Sequence, residues 1–212
     1  MWLIMKKILW GLLFLFSPII ILAHPHAWIY TGSTFLVSND GKLMGIKQRW
    51  HYDNLLTDVV LQDLNYPKSK QNFHLDQWAK ETLRKLAPYD YFLKLSVNGQ
   101  SVPLSEVAQY RGELIDETLV LSFTMLLSSP IDIKNQNITL AAYDPSFYIE
   151  ILQSADFPPQ IEGLIDNCRL YIEYPEPTAD DFLQAAMIDY GVQVDPQFGE
   201  LFAEIVHLEC SS

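Results

Sequence analysis

The chain reads as a mainly β (α+β) protein, an antiparallel β-sandwich-like domain carrying a helical insertion at roughly 53–88. Three observations predict this. Strand-length runs rich in β-branched and aromatic residues alternate with turn residues over most of the chain. At roughly 53–88, apolar residues switch to helical spacing. No internal repeat and no long linker divides the sequence.

Taken in order, Ala27 to Val37 fits a strand, Ser38-Asn39-Asp40-Gly41 a turn, and Lys42 to Tyr52 the returning strand of a hairpin. Asp53 or Asn54 can cap a helix carrying Leu55, Leu56, Val59, Val60 and Leu64. Residues 65–72 are polar and contain Pro67, so they read as a loop. Leu75 to Leu86 predicts a second helix, closed by Pro88. Tyr91 to Val97 returns to strand and ends at Asn98-Gly99, the strongest short hairpin signal. Gln109 to Ile115 and Thr118 to Leu127 flank a turn near Asp116. Gln136 to Tyr143 and Phe147 to Leu152 follow as strands. A strand around Cys168 to Tyr174 and a helix from Ala179 to Asp189 are separated by Pro175 and Pro177. Phe198 to Ala203 reads as a short helical turn. Glu204 to Cys210 reads as helix or strand, its Ile and Val favouring strand.

With 212 residues, 49% hydrophobic and 13% aromatic, the chain can bury a core, which excludes a disordered or collagen-like protein. The net charge of −12 argues against nucleic acid, which needs a basic patch, and against a general attraction to anionic lipid.

The first residues have the pattern of an export leader. Lys6 and Lys7 precede the apolar run Ile8 to Leu22, and Ala23 offers a small residue at the cut. The run is short for a membrane span, although an uncleaved anchor is the alternative. Cleavage after Ala23 would leave residues 24–212 as a single β-rich domain, soluble after signal cleavage, in the periplasm. Cys168 and Cys210 are the only cysteines, and in an oxidising compartment they predict one structural disulfide. Two buried thiols are the alternative.

After such a cut the chain begins His24-Pro25-His26-Ala27-Trp28. His24 then offers an α-amine and an imidazole, and His26 a second imidazole on the same face of an extended backbone. Three such nitrogens suit a divalent transition metal (zinc, nickel, cobalt or copper) rather than calcium or magnesium. Pro25 has no amide proton, which excludes square-planar chelation through the second amide nitrogen. A solvated, unliganded terminus is the alternative. Asp53, two residues past His51, and Asp144, in Tyr143-Asp144-Pro145, are candidate further ligands. Their plainer readings are a helix cap and an Asx turn. No nucleophile elbow, P-loop, dinucleotide fingerprint or His-Glu-x-x-His occurs, so no catalytic residue is assigned.

His24-Pro25-His26-Ala27-Trp28 after a leader, Trp50 with Asp53, Tyr89-Asp90-Tyr91-Phe92, Tyr143-Asp144-Pro145-Ser146-Phe147-Tyr148, and Cys168 with Cys210 together resemble an exported bacterial family. It is catalogued as domain of unknown function 1007, and its members are commonly labelled a periplasmic component of an uncharacterised ABC-type transport system. The resemblance implies divalent metal handling beside an inner-membrane metal transporter. Many members carry an EF-hand-like loop in the helical insertion. Here Pro67, Lys68 and His74 occupy its fifth, sixth and twelfth positions, which predicts no calcium there. The expectation is thus a transition-metal-binding accessory protein. The alternatives are a histidine-brace copper oxidoreductase and a cell-envelope protein-interaction module without metal.

Overall fold

The computed structural model describes residues 25–64, 73–163, 167–188 and 192–211. The leader, His24 and most of the loop between the first two helices lie outside these residues.

β1 (Ala27–Val37) alternates strictly, with Ile29, Thr31, Ser33 and Phe35 turned inward and Trp28 and Tyr30 outward. β2 (Lys42–Tyr52) returns beside it, Tyr30 opposite His51. The tight turn between them closes through the Ser38 N–H to the Lys42 carbonyl. α1 (Asn54–Asp63) and α2 (Phe73–Leu86) form the insertion. Leu75, Ala79 and Leu83, spaced by four, are buried against Trp50, Tyr52 and Phe123. Acidic Asp76 in the first turn and Arg84 and Lys85 in the last complement the helix dipole. The Asp76 carboxylate also accepts the Gly112 N–H, 3.1 Å. A 3₁₀ segment (Ala87–Phe92) leads into β3 (Leu93–Val97).

β3 turns through Asn98-Gly99, both at positive φ as a type I′ turn requires, into β4 (Gln100–Val102). β5 (Leu104–Ile115) and β6 (Thr118–Asp132) form a long hairpin around Asp116-Glu117. β7 (Asn137–Ala142), β8 (Ile149–Gln153), β9 (Gln160–Glu162) and β10 (Cys168–Glu173) follow. α3 (Ala179–Met187) opens on a capping box between Thr178 and Asp181. A 3₁₀ turn (Phe198–Phe202) precedes β11 (Ile205–Cys210).

Two sheets result, in the orders β5-β6-β2-β1-β8 and β10-β11-β7-β3-β4, with β9 added to β1. The fold is therefore mainly β (α+β), with a helical insertion. Most pairings are antiparallel, but β1 pairs in parallel with both β8 and β9. Between the sheets lie Phe35, Leu43, Ile46, Leu95, Ile138, Leu140, Val206 and Leu208. The inward polar residues of β1 and β2 satisfy one another. The Thr31 hydroxyl and the Trp50 indole N–H donate to Gln48 Oε1 (2.7 and 3.2 Å), and Gln48 Nε2 donates to Ser33 (3.0 Å). Cys168 and Cys210 are direct partners across β10 and β11 and form the disulfide. Among the described residues no helix is long and apolar enough to cross a membrane.

Candidate functional site

The start of β1 is fastened by backbone hydrogen bonds on two sides. The His26 N–H donates to the Tyr148 carbonyl, 2.9 Å, and its ring lies 4.6 Å from that of Tyr148. The Trp28 N–H donates to Asp53 Oδ2, 2.6 Å, and the Asp53 N–H returns to the Trp28 carbonyl, 3.0 Å. Asp53 Oδ1 accepts the Leu56 N–H at 2.7 Å, so the same carboxylate caps α1. The Trp28 indole donates to Glu150 Oε2, 2.8 Å.

Asp144 is nearly buried, 7% exposed, at the root of the loop that carries Tyr148. Its Oδ1 accepts both the N–H and the hydroxyl of Ser146, at 2.9 and 2.8 Å, and its Oδ2 accepts the Ile149 N–H at 3.1 Å. This is an Asx turn that fixes the approach to β8. The loop rests on the 3₁₀ turn 198–202. There, the Gly199 N–H donates to the Pro145 carbonyl, and a Cβ on Gly199 would lie 1.9 Å from the Asp144 carbonyl oxygen. Phe147 stacks on Phe202 at 3.8 Å.

Of the four residues suggested as metal ligands, His26, Asp53 and Asp144 are thus tied to one end of the first sheet. His24 lies outside the described residues. Among the described residues, no three His, Cys, Asp or Glu side chains gather as a metal-binding group. His51 faces outward from β2 and stacks on Phe157 at 4.2 Å. Burial lowers its pKa, with a contribution from Arg49, and favours the neutral ring. His207 belongs to the second sheet, where its Nε2 meets Glu173 at 2.8 Å and its ring stacks on Tyr171.

Sequence reasoning did not single out Glu150 and Glu204. Both carboxyls are held above the usual range by burial. The Trp28 indole opposes this at Glu150, and the Gln153 N–H opposes it at Glu204, where the Glu150 charge adds to the rise. A raised carboxyl binds more protons in the folded than in the unfolded chain. Its stabilisation is therefore complete below the ordinary value of 4.5 and is lost as pH rises through the folded value. Glu204→Gln keeps an acceptor for the Gln153 N–H and removes the buried charge. Urea unfolding across pH should show the variant gaining on the wild type as pH rises above about 4.5. Parallel pH profiles would refute this account of Glu204.

The family described as "Protein of unknown function (DUF1007)" matches residues 9–210 of the chain. An "Uncharacterized protein" of Haemophilus influenzae (strain ATCC 51907 / DSM 11121 / KW20 / Rd) is 24% identical over 204 residues, 94% of this chain and 97% of the relative.

Proposed function

Since the chain belongs to the DUF1007 family, we propose that it is an exported, periplasmic accessory protein that binds a divalent transition metal and serves an inner-membrane metal transporter. The observation that carries the reading is the double fastening of the histidine-bearing terminus, at His26 by Tyr148 and at Trp28 by Asp53. A chelate made only of a free terminus would lose chain entropy on closing round an ion, and a terminus already held loses less. The ligands in this reading are the α-amine and ring of His24 and the ring of His26. Imidazole and amine select zinc, nickel, cobalt or copper.

The two aspartates then divide their work. Asp53 accepts two N–H bonds and keeps lone pairs for an ion, so it is the further ligand. Asp144, which accepts from three donors, positions the loop that holds His26.

The test uses protein secreted through its own leader, with the terminus at His24 verified by mass spectrometry. Zinc, copper, nickel and cobalt are titrated while Trp28 fluorescence is followed. One ion per chain is expected, lost in His24→Ala and in His26→Ala, and weakened when one residue is added before His24 to remove its amine. Correctly processed protein that binds none of the four metals would overturn the proposal. Oxidative turnover by the copper form would transfer the site to the copper-enzyme reading.

A further inference from the structure

A concavity lies on the outer face of the first sheet, at the end where β2 gives way to α1. It is a groove of about 660 Å³ lined by, among others, Tyr30, His51, Gln153, Asp156, Phe157 and Glu204. Its size falls in the range of small-molecule sites.

Three properties restrict what it can hold. The first is charge, since Asp53, Asp156 and Glu204 line it and, among the described residues, no lysine or arginine does. The second is unmet hydrogen bonding. Among the described residues, Gln153 Oε1 and His51 Nε2 find no hydrogen-bond partner, and both atoms are buried. A buried polar atom left unpaired costs free energy, and an amide oxygen can only accept. The third is aromatic surface. Tyr30 is 43% exposed, and Phe157 stacks on His51. Gly32 makes that arrangement possible, because a Cβ there would lie 2.9 Å from the Phe157 ring and from its carbonyl oxygen.

An anion is disfavoured by the carboxylates. A bare metal ion is disfavoured because no three His, Cys, Asp or Glu side chains converge among the described residues. A donor-rich organic cation fits all three properties. It supplies N–H groups to a carboxylate, presents its charge to the Tyr30 ring, and offers Gln153 Oε1 the donor it lacks once that side chain turns toward the groove. We propose that this groove binds an organic cation of the ammonium or guanidinium class. The site shares only Asp53 with the proposed metal ligands and does not rest on the metal reading.

Metal-free mature protein is titrated with agmatine, which carries both an ammonium and a guanidinium, in the presence of chelator. Glycerol serves as the uncharged control. Calorimetry gives the affinity, and the His51 ring resonances report the location. Saturable binding of agmatine with movement of the His51 signals is expected. Tyr30→Ala and Glu204→Gln should each weaken it by about tenfold, and His26→Ala should leave it unchanged. Asp156→Asn, at an exposed position, gives a variant that does not disturb the core and should also weaken binding. No binding up to roughly 10 mM agmatine would overturn the proposal. So would binding that salt abolishes and that all three groove variants leave intact, which would be general attraction to an acidic protein. Loss of agmatine binding on His26→Ala would assign the cation to the N-terminal site instead.

Discussion

Serine at both Cys168 and Cys210 should lower the free energy of unfolding by about 4 kcal/mol, the chain-entropy value for a loop of this length. The two residues are separated by 42 positions and face each other across β10 and β11. β10 ends its sheet, and among the described residues only β11 pairs with it. Without the covalent link, the unfolded chain regains the freedom of the whole intervening segment, including α3 and the 3₁₀ turn. The melting midpoint should fall by roughly 10 °C, and addition of reductant to the wild type should reproduce the effect. A loss under about 1 kcal/mol would mean that strand pairing, with Glu209 accepting from Arg169 and Tyr171, already closes the loop.

Asp144→Ala should cost about 3 kcal/mol or more, because three donors lose a charged, buried acceptor at once. Asp144→Asn keeps one acceptor oxygen and should cost less. The damage extends beyond stability. The Asp144 turn sets the course of the chain to Tyr148, whose carbonyl holds the His26 N–H. Urea unfolding of the two variants measures the first effect. Backbone amide exchange at His26 measures the second, and it should rise in the alanine variant. A cost below about 1 kcal/mol would show that water replaces the carboxylate and that the loop holds itself.

Much of this architecture is written locally. Asn98-Gly99 supplies two residues that tolerate positive φ, and the hairpin forms there. Leu75, Ala79 and Leu83 mark the buried face of α2 by spacing alone. Ile205 and Val206 favour strand over helix for the last segment, and the strand brings Cys210 opposite Cys168. The plain readings of Asp53 as a cap and Asp144 as an Asx turn also need only neighbours within a few residues.

The differences arise where distant chain decides. The sequence predicts a strand beginning at Tyr91, but Asp90, Tyr91 and Phe92 take positive φ as the 3₁₀ segment turns into β3. Leu104 to Ala108 belongs to β5 through two register irregularities, which obscure its alternation. β9 is too short to announce itself after Pro158-Pro159 and exists because β1 offers an edge. The groove is invisible to any local window. Its His51 and Phe157 are neighbours only through the sheet, and Glu204 enters from the connection to the other layer.

The parallel pairing of β1 with β8 has a consequence for how the molecule comes into being. Ala27 pairs with Ile149, Tyr30 with Leu152 and Thr31 with Gln153, so the earliest strand waits for one made far later. A chain emerging N-terminus first can form the β1–β2 hairpin at once, but that hairpin keeps an open edge. Such non-local closure slows folding and prolongs exposure of an unpaired strand. The same event delivers Tyr148 to His26. His26 therefore reaches its fixed position only in a chain synthesised well past residue 148, which makes its placement a late checkpoint of completed folding.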